Sequence, residues 1–268
     1  MSYISTNHRG GIGNVLFKLA VSISVAIDNS VDYIFSNEFI RDKDLAMVTK
    51  GYPDYRVYYT NILRNIQFID KLPAPYVVYR EPNFHYNAIP YTEGTNLVLD
   101  GGFQSEKYFE NNKDKIIDLF KVSSEIEKAI KDSAPQVENL VSIHVRRGDY
   151  VGQEQYHPLT TKEYYQRAVE VIGIDKTYLV FSDDLNMCHS LLDFIPNVLY
   201  TSAQTDWIEF YTMSLCGDNI IANSSFSWWA AYLNPNPNKK VIAPSKWFGP
   251  AYDHFNTKDL LPKSWIKL

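Results

Sequence analysis

After residue 139 the sequence alternates short apolar runs with amphipathic stretches, and this alternation restricts the fold more than any other feature. It predicts strands over residues 140–145, 177–181, 219–222 and 240–243. It predicts helices over residues 161–172, 185–192, 205–215 and 226–233. Short strands that alternate with helices at this spacing form a parallel sheet covered on both faces, and such sheets bind ligands beyond the carboxyl ends of their strands.

The first half opens with a similar pattern. It predicts strands over 3–6, 31–35 and 97–100, a tight turn over 8–13, and helices over 14–27 and 105–120. A further helix begins at Ser124, has Glu127 at capping-box spacing, and must end before Pro135. The 268 residues are enough for two modest domains. We therefore expect an α/β protein with Rossmann-like domains over residues 1–135 and 136–268, and we assign no elements to residues 40–96.

Composition excludes several classes of partner. The formal net charge is −5 and no basic block is present, so a nucleic-acid partner is not expected. The apolar run over residues 15–27 contains Lys18 and is too short for a transmembrane segment. Cys188 and Cys216 lie in apolar stretches and are expected to be buried thiols, so we expect a cytoplasmic protein. The 20 Tyr and 14 Phe include rings of the kind that line sugar sites.

An arginine motif follows the strand at 140–145. Alternation along the strand places His144 and Arg146 on one face and Arg147 on the other. Arginine presents a planar fork of donors that can hold a pyrophosphate without a metal. Gly148 lets the chain turn close to a ligand, and Asp149 can orient an arginine or a hydroxyl group. The alternative is a strand end with surface charges and an Arg–Asp pair.

A glycine loop joins the first strand to the first helix, beginning at Arg9. Gly11 and Gly13 allow the backbone to approach an anion, which the free N–H groups of a helix start can bind, and Asn14 lies beside them. The loop is not a dinucleotide fingerprint, because Leu16 occupies the position of the third glycine. A purely structural turn is the alternative.

A serine-rich run follows the strand at 219–222 and enters a helix. Asn223, Ser225, Phe226 and Ser227 belong to it, and hydroxyl groups at a helix N-terminus suit a phosphate as well as they suit capping. Residues 223–225 also match a glycosylation sequon, a reading that a buried strand end disfavours.

Two aspartates lie just after the predicted strand at 177–181. Asp183 and Asp184 can accept hydrogen bonds from guanine or ribose, or Asp184 can simply cap the next helix. They are adjacent acids, and Asp42 and Asp44 lie in a charged region without clear structure. The histidines form no ligand pair at metal spacing. We therefore expect no bound metal.

Taken together, these motifs resemble the α-1,2-fucosyltransferases of glycosyltransferase family 11. The matching segments cover residues 10–14, 102–109, 144–150, 181–184 and 223–234. Val15 and Lys18 stand where the family usually has two glutamines. The resemblance implies a GT-B fold of two facing Rossmann-like domains, with GDP-fucose held mainly by the second domain and the acceptor towards the first.

The resemblance also implies roles for individual residues. Arg146 would contact the donor pyrophosphate, with His144 beside it and Asp149 essential in the same loop. Asp183 or Asp184 would face the guanosine, with Arg147 and Asn223 also on the donor side. Residues 225–227 would contact the phosphates, and Gly11, Gly13 and Asn14 would approach the donor from the first domain.

The expected reaction is an inverting, metal-independent transfer of fucose to a sugar hydroxyl, a 2-hydroxyl of galactose or a similar residue. GDP-fucose is the donor substrate, a glycan is the acceptor, and no further cofactor is expected. Three alternatives stay open: a transferase with another donor or linkage, an inactive carbohydrate-binding protein and, as the weakest, a nicotinamide oxidoreductase. The oligomeric state is not predicted.

Overall fold

The structure is a computed structural model that describes residues 2–8, 10–37, 56–201 and 205–268. The chain divides into two compact units. Unit 1 contains residues 1–121 and 256–262, and unit 2 contains residues 122–255 and 263–268. Arg9, Asp42 and Asp44 lie outside the described residues.

Unit 1 is built on a parallel sheet of order β2-β1-β6-β5. Its strands and helices are β1 (Tyr3–Thr6), α1 (Ile12–Asp28), β2 (Asp32–Tyr33), β3 (Phe35–Ser36), α2 (Arg56–Thr60), β4 (Phe68–Ile69), β5 (Val77–Arg80), β6 (Leu97–Asp100) and α3 (Lys113–Phe120). A separate parallel pair joins β3 and β4. Strand β1 and most of α1 are buried, which explains the strongly apolar sequence of α1.

Three predicted elements of unit 1 are confirmed: β1, α1 and β6. The predicted strand over 31–35 is instead two short strands, β2 and β3. The predicted helix over 105–120 is wrong in its first half, where 3-10 turns cover Glu106–Tyr108 and Glu110–Asn112. Phe109 separates these turns with φ of −138°, which a continuous α-helix cannot accommodate. Only α3 completes the expected helix.

Unit 2 contains a larger parallel sheet of order β12-β11-β10-β7-β8-β9. Its strands and helices are α4 (Ser124–Ser133), β7 (Val141–Val145), α5 (Lys162–Ile172), β8 (Tyr178–Ser182), α6 (Leu185–Leu191), β9 (Val198–Tyr200), α7 (Asp206–Leu215), β10 (Asp218–Ile220), α8 (Ser225–Leu233), β11 (Val241–Ala243) and β12 (Ile266–Lys267). The predicted alternation is confirmed, with small shifts of the ends. Strands β9 and β12 were not predicted.

The order of this sheet reverses at β7. From β7 the chain passes to β8 and β9 on one side, and then crosses to β10, β11 and β12 on the other. Ligands of open parallel sheets bind at such a switch point, beyond the carboxyl ends of the two diverging strands. The loops that follow β7 and β10 therefore define the expected site. Both strands are largely buried, and the residues that follow them lie at the carboxyl end of the sheet.

The division into units differs from the predicted boundary at residue 135. Helix α4 belongs to unit 2, where it packs against α7. Its N-cap is Ser123, whose hydroxyl accepts from the Ile126 N–H, rather than Ser124. Residues 256–262 belong to unit 1, where Asp259 pairs with Lys107. Within the described ranges, no helix has the length and apolarity needed to cross a bilayer.

Candidate active site

The Arg146 guanidinium lies between two carboxylates at the carboxyl end of β7. Its Nη2 is 2.7 Å from Asp149 Oδ1, and its Nη1 is 2.8 Å from Asp183 Oδ2. Its Cζ also lies 5.5 Å from the centre of the Tyr150 ring, a cation–π contact. Because both ends of the fork are held by acids, the orientation of the guanidinium is fixed. The structure thus brings together three predicted site residues, Arg146 and Asp149 from the loop after β7 and Asp183 from the loop after β8.

Asp183 organises the turn that carries the arginines. Its Oδ1 accepts from the Arg147 backbone N–H at 2.9 Å, while its Oδ2 pairs with Arg146. A Cβ at position 148 would overlap this carboxylate. Gly148 is therefore required for a neighbouring side chain of the protein, whereas the sequence had suggested a close approach of ligand.

Arg147 and Asp184 form a second, looser pair. Arg147 Nε lies 3.5 Å from Asp184 Oδ2, and Nε makes no hydrogen bond within the described part of the chain. Asp184 also caps α6, because its Oδ1 accepts from the Met187 N–H. The charge of Arg147 opposes the rise that burial causes in the pKa of Cys188, whereas the charge of Arg146 adds to the fall that burial causes in the pKa of His144. The two arginines therefore have different acid partners and act on different buried groups.

His144 is buried and bonded to the helix after β10. Its Nδ1 is 2.8 Å from Ser227 Oγ, whose own proton is directed to the Ser224 carbonyl. This network assigns the ring proton to Nδ1 and leaves Nε2 as an acceptor. Burial and the nearby Arg146 lower the pKa of His144 to about 3, so the ring is neutral near pH 7. His144 therefore joins β7 to α8 across the switch point as a neutral group.

The N-terminus of α8 lies at the same edge. Ser224 is the N-cap residue, but its side chain makes no capping hydrogen bond. Ser225 and Phe226 are half-buried in the first turn, whereas Ser227 is buried and committed to His144. The first-turn N–H groups and the Ser225 hydroxyl are thus the groups suited to an anion, together with the positive end of the helix dipole.

Asn223 braces the loops around this helix start. Its side-chain N–H groups donate to the carbonyls of Pro158 and Trp247 at 3.0 and 3.1 Å. Its own carbonyl accepts from the Tyr150 hydroxyl at 3.1 Å. Its Oδ1 is buried and has no hydrogen-bond partner among the residues that the structure describes. The side chain of Asn223 therefore braces these loops, and its contact with the donor stays a prediction.

Two tyrosines of α5, which the sequence did not single out, fix the strand ends from the other side. The Tyr165 hydroxyl donates to the His144 carbonyl at 3.0 Å. The Tyr164 hydroxyl lies 2.7 Å from the Ile221 carbonyl and 3.2 Å from that of Ile242. Both are buried. Their helical pattern indicated only packing, and a buried tyrosine's need for a hydrogen-bond partner was the available signal.

Unit 1 has a separate polar cluster at the start of α1. Gly11 is the N-cap of α1, Gly10 before it has φ of +109°, and Gly13 is buried in the first turn. The Asn14 Oδ1 accepts from Gln104 Nε2 at 2.9 Å. The glycine loop therefore contacts the 102–109 segment, which lay far from it in sequence.

Glu81 anchors that segment and was missed by the sequence analysis. Its Oε2 accepts from the N–H groups of Gly102 and Phe103 at 2.7 and 2.9 Å. Gln104 follows directly after Phe103, which is held at φ of +49°, a left-handed conformation that is costly for a bulky side chain. Burial raises the pKa of Glu81, while these N–H donors and Lys18 oppose the rise. Glu81 follows β5, a strand that the sequence did not reveal.

Among the described residues, no group of three His, Cys, Asp or Glu side chains is arranged to hold a metal ion. Asp183 and Asp184 instead contact arginines and backbone N–H groups. Metal independence itself stays a prediction.

A sequence profile of glycosyl transferase family 11 matches residues 43–268. The chain belongs to glycosyl transferase family 11. Two curated relatives come from Escherichia coli. The O-antigen biosynthesis glycosyltransferase WbnK is 31% identical over 185 residues, which are 62% of this chain and 59% of WbnK. An alpha-1,2-colitosyltransferase is 26% identical over 100% of this chain and 99% of its own.

The fold of this family 11 chain is also found in a solved structure. NodZ alpha-1,6-fucosyltransferase from Bradyrhizobium, crystallised with GDP, superposes with a TM-score of 0.54 at 15% identity, over 88% of this chain and 93% of NodZ. The predicted α/β, GT-B-like fold with parallel sheets is therefore confirmed.

Proposed function

We propose that this family 11 glycosyltransferase transfers L-fucose, with inversion, from GDP-fucose to the 2-hydroxyl of a terminal galactose or similar sugar. The observation that carries the proposal is the Arg146 guanidinium, fixed by two carboxylates beside the α8 N-terminus at the switch point of the sheet. The α-1,2 linkage in the name of the full-length relative supports the linkage. Unit 2 binds the donor in this proposal, and unit 1 contributes the acceptor side. Because Asn14 is bonded to Gln104, we assign both amides to the acceptor, whereas the resemblance had implied that Asn14 approaches the donor.

The chemistry explains why such an arginine is needed. As the bond between the fucose anomeric carbon and the β-phosphate oxygen breaks, its electron pair stays on the phosphate and the sugar gains positive character. A fixed guanidinium and the first-turn N–H groups of α8 stabilise that growing negative charge without reorganising. Lost donors of this type typically slow turnover by about 10²–10³.

Asp149 has two successive roles in this proposal. A bound pyrophosphate competes with Asp149 for Nη2 of Arg146, because Asp149 is the more exposed of the two acid partners, at 49% against 27% for Asp183. The displaced carboxylate then accepts the proton of the acceptor hydroxyl as its oxygen attacks the anomeric carbon. His144 is neutral and bonded to Ser227. In this proposal it holds β7 and α8 together and does not serve as the base.

The cysteines bear on the compartment. Cys188 and Cys216 are both buried free thiols, which supports the cytoplasmic location expected from the sequence. Neither a nucleic acid nor a cofactor other than the donor substrate enters the reaction.

A donor and linkage assay tests the proposal. Purified protein is incubated with a galactoside and GDP-fucose, GDP-mannose, UDP-galactose or a colitosyl nucleotide, and nucleotide release is followed. The product is then analysed by NMR. Release of GDP from GDP-fucose with an α-1,2 product supports the proposal. A preference for the colitosyl donor or a different linkage would replace the donor or acceptor, and glycan binding without nucleotide release would make the chain a carbohydrate-binding protein.

A further inference from the structure

We propose that Glu209 recognises the guanine base of the donor. This inference rests on the proposed function and assigns the base-reading role that the sequence had given to Asp183 or Asp184. Glu209 lies in the first turns of α7, immediately beyond the carboxyl end of β9. It is therefore at the same sheet edge as the arginine loop and the α8 N-terminus, but displaced from the switch point towards β8 and β9.

Glu209 is held in place through Thr201. The Thr201 hydroxyl lies 3.1 Å from Glu209 Oε1 and 3.2 Å from the Val180 carbonyl. The Thr201 backbone N–H also donates to that carbonyl, at 3.1 Å, which continues the pairing of β8 and β9. Within the described residues, Oε2 of Glu209 has no hydrogen-bond partner. One carboxylate oxygen is thus positioned by the fold while the other keeps its capacity to accept.

A chain of ring contacts connects this region with the phosphate side. Phe210, next to Glu209, packs edge-on against Phe226 with ring centres 5.4 Å apart. Phe226 lies in turn 5.8 Å from the His144 ring. Helices α7 and α8 therefore start from one packed layer, and a nucleotide bound with its phosphates at α8 can extend towards α7.

The aspartates are poorly suited to the base because their oxygens are already engaged. Asp183 binds Arg146 and the Arg147 N–H, and Asp184 caps α6 and faces Arg147. If either turned towards guanine, an arginine or a helix end would lose its partner. Glu209 can accept from guanine without breaking any of these contacts.

Guanine matches a single carboxylate because its N1–H and 2-amino group are donors on one edge. Adenine lacks this arrangement, and hypoxanthine keeps N1–H but lacks the amino group. Burial raises the pKa of Glu209 to about 7, Asp206 and Asp183 add to the rise, and the Thr201 hydrogen bond opposes it. A base that donates to the ionised carboxylate must lower that pKa again, so GDP binding near pH 7 should release a fraction of a proton.

Calorimetry on the wild-type protein gives the first test. GDP and IDP are titrated at pH 7 in two buffers of different ionisation enthalpy, which reports proton release together with affinity. We expect GDP to bind about tenfold to a hundredfold more tightly than IDP, the range for a hydrogen bond to a charged group. We also expect proton release with GDP. Equal affinities for GDP and IDP without proton release would overturn the inference.

Variants at two neighbouring acids give the second test. Glu209→Gln should weaken GDP binding about tenfold or more, abolish proton release and remove most of the preference over IDP. Asp206→Asn, on the same helix, should retain the preference. Removing a half-buried carboxylate with a raised pKa should not unfold the protein, which melting temperatures will check. If Glu209→Gln loses affinity equally for GDP and IDP but not for 2′-deoxy-GDP, the carboxylate holds the ribose and the inference is wrong.

The two proposals fail in different ways. If wild-type protein binds no GDP but another nucleotide, the proposed function fails and the inference falls with it. If wild-type protein binds GDP and Glu209→Gln binds GDP and IDP as the parent does, the inference alone fails.

Discussion

The arginine loop after β7 in unit 2 and the glycine loop before α1 in unit 1 differ in the kind of polar group that they present. In unit 2, the charged Arg146 is held by two carboxylates, one from the loop after β7 and one from the loop after β8. In unit 1, Asn14 and Gln104 are neutral amides joined by one hydrogen bond. Fixed charges suit a leaving group whose charge grows during reaction, whereas amides can donate or accept and suit sugar hydroxyls. The contrast predicts that unit 2 changes act on turnover and unit 1 changes on acceptor affinity.

The largest effect is expected at Arg146. Arg146→Lys keeps the charge but cannot pair with Asp149 and Asp183 together, so turnover should fall by about 10²–10³. Arg147→Lys should lose less, because among the described residues the one acid that pairs with the Arg147 side chain is Asp184, at the longer distance of 3.5 Å. Steady-state GDP release and melting temperatures measure both variants. A greater loss in Arg147→Lys would reverse the assignment of the two arginines.

A smaller loss of turnover is expected at Asp183. Asp183→Asn weakens the contacts with the Arg146 guanidinium and the Arg147 N–H, so turnover should fall about tenfold to a hundredfold. Asp184→Asn serves as the matched control, since asparagine also caps helices well and the fold should persist. Equal kinetics for the two variants would mean that the orientation of Arg146 does not depend on Asp183.

A still smaller effect should separate unit 1 from unit 2. Gln104→Ala removes the partner of Asn14, and one neutral hydrogen bond of about 1 kcal/mol corresponds to about fivefold. This change should appear in the acceptor KM, with the GDP dissociation constant unaltered. Glu110→Ala, an exposed position on the neighbouring turn, controls for local destabilisation. A rise in the GDP dissociation constant instead of the acceptor KM would place the donor, not the acceptor, at this cluster.

The smallest expected effect is that of chelation. Arginine and helix-terminus groups supply the positive charge in the proposed mechanism, so EDTA should leave the rate of GDP release unchanged. Loss of activity that Mg²⁺ or Mn²⁺ restores would contradict this mechanism and would make Asp183 and Asp184 candidate ligands.

The sequence predicts the buried parts of this fold much better than its edges. Strands β7 and β8 are buried and mostly apolar because the sheet is covered on both faces, and such segments are recognisable. Strand β5 is an edge strand with Val77 and Val78 exposed, and β9 has only three residues, so neither shows a usable period. Glu81 follows β5 and was missed for that reason. Glu209 lies in the helix predicted over 205–215, but because β9 was not recognised, its place at the carboxyl end of the sheet was not either.

The same limit applies to the candidate site. The rule that ligands bind at carboxyl strand ends was enough to group Arg146, Asp183 and the serine run. It could not show that Ser227 is hydrogen-bonded to His144 or that the Asn223 amide donates to two loop carbonyls. Those partners lie far apart in the sequence, and only the packed structure decides which polar group is used internally.

The pairing of residues 256–262 with unit 1 constrains how this enzyme can be recombined with its relatives. Asp259 has a side chain only 7% exposed, paired with Lys107 and accepting from the Tyr86 N–H. A chimera with a single crossover near residue 121 would take this segment from one parent and its partners from the other. A buried carboxylate without matched donors costs several kcal/mol, enough to unfold a marginal protein. Functional hybrids therefore require a second exchange that carries the short segment with unit 1.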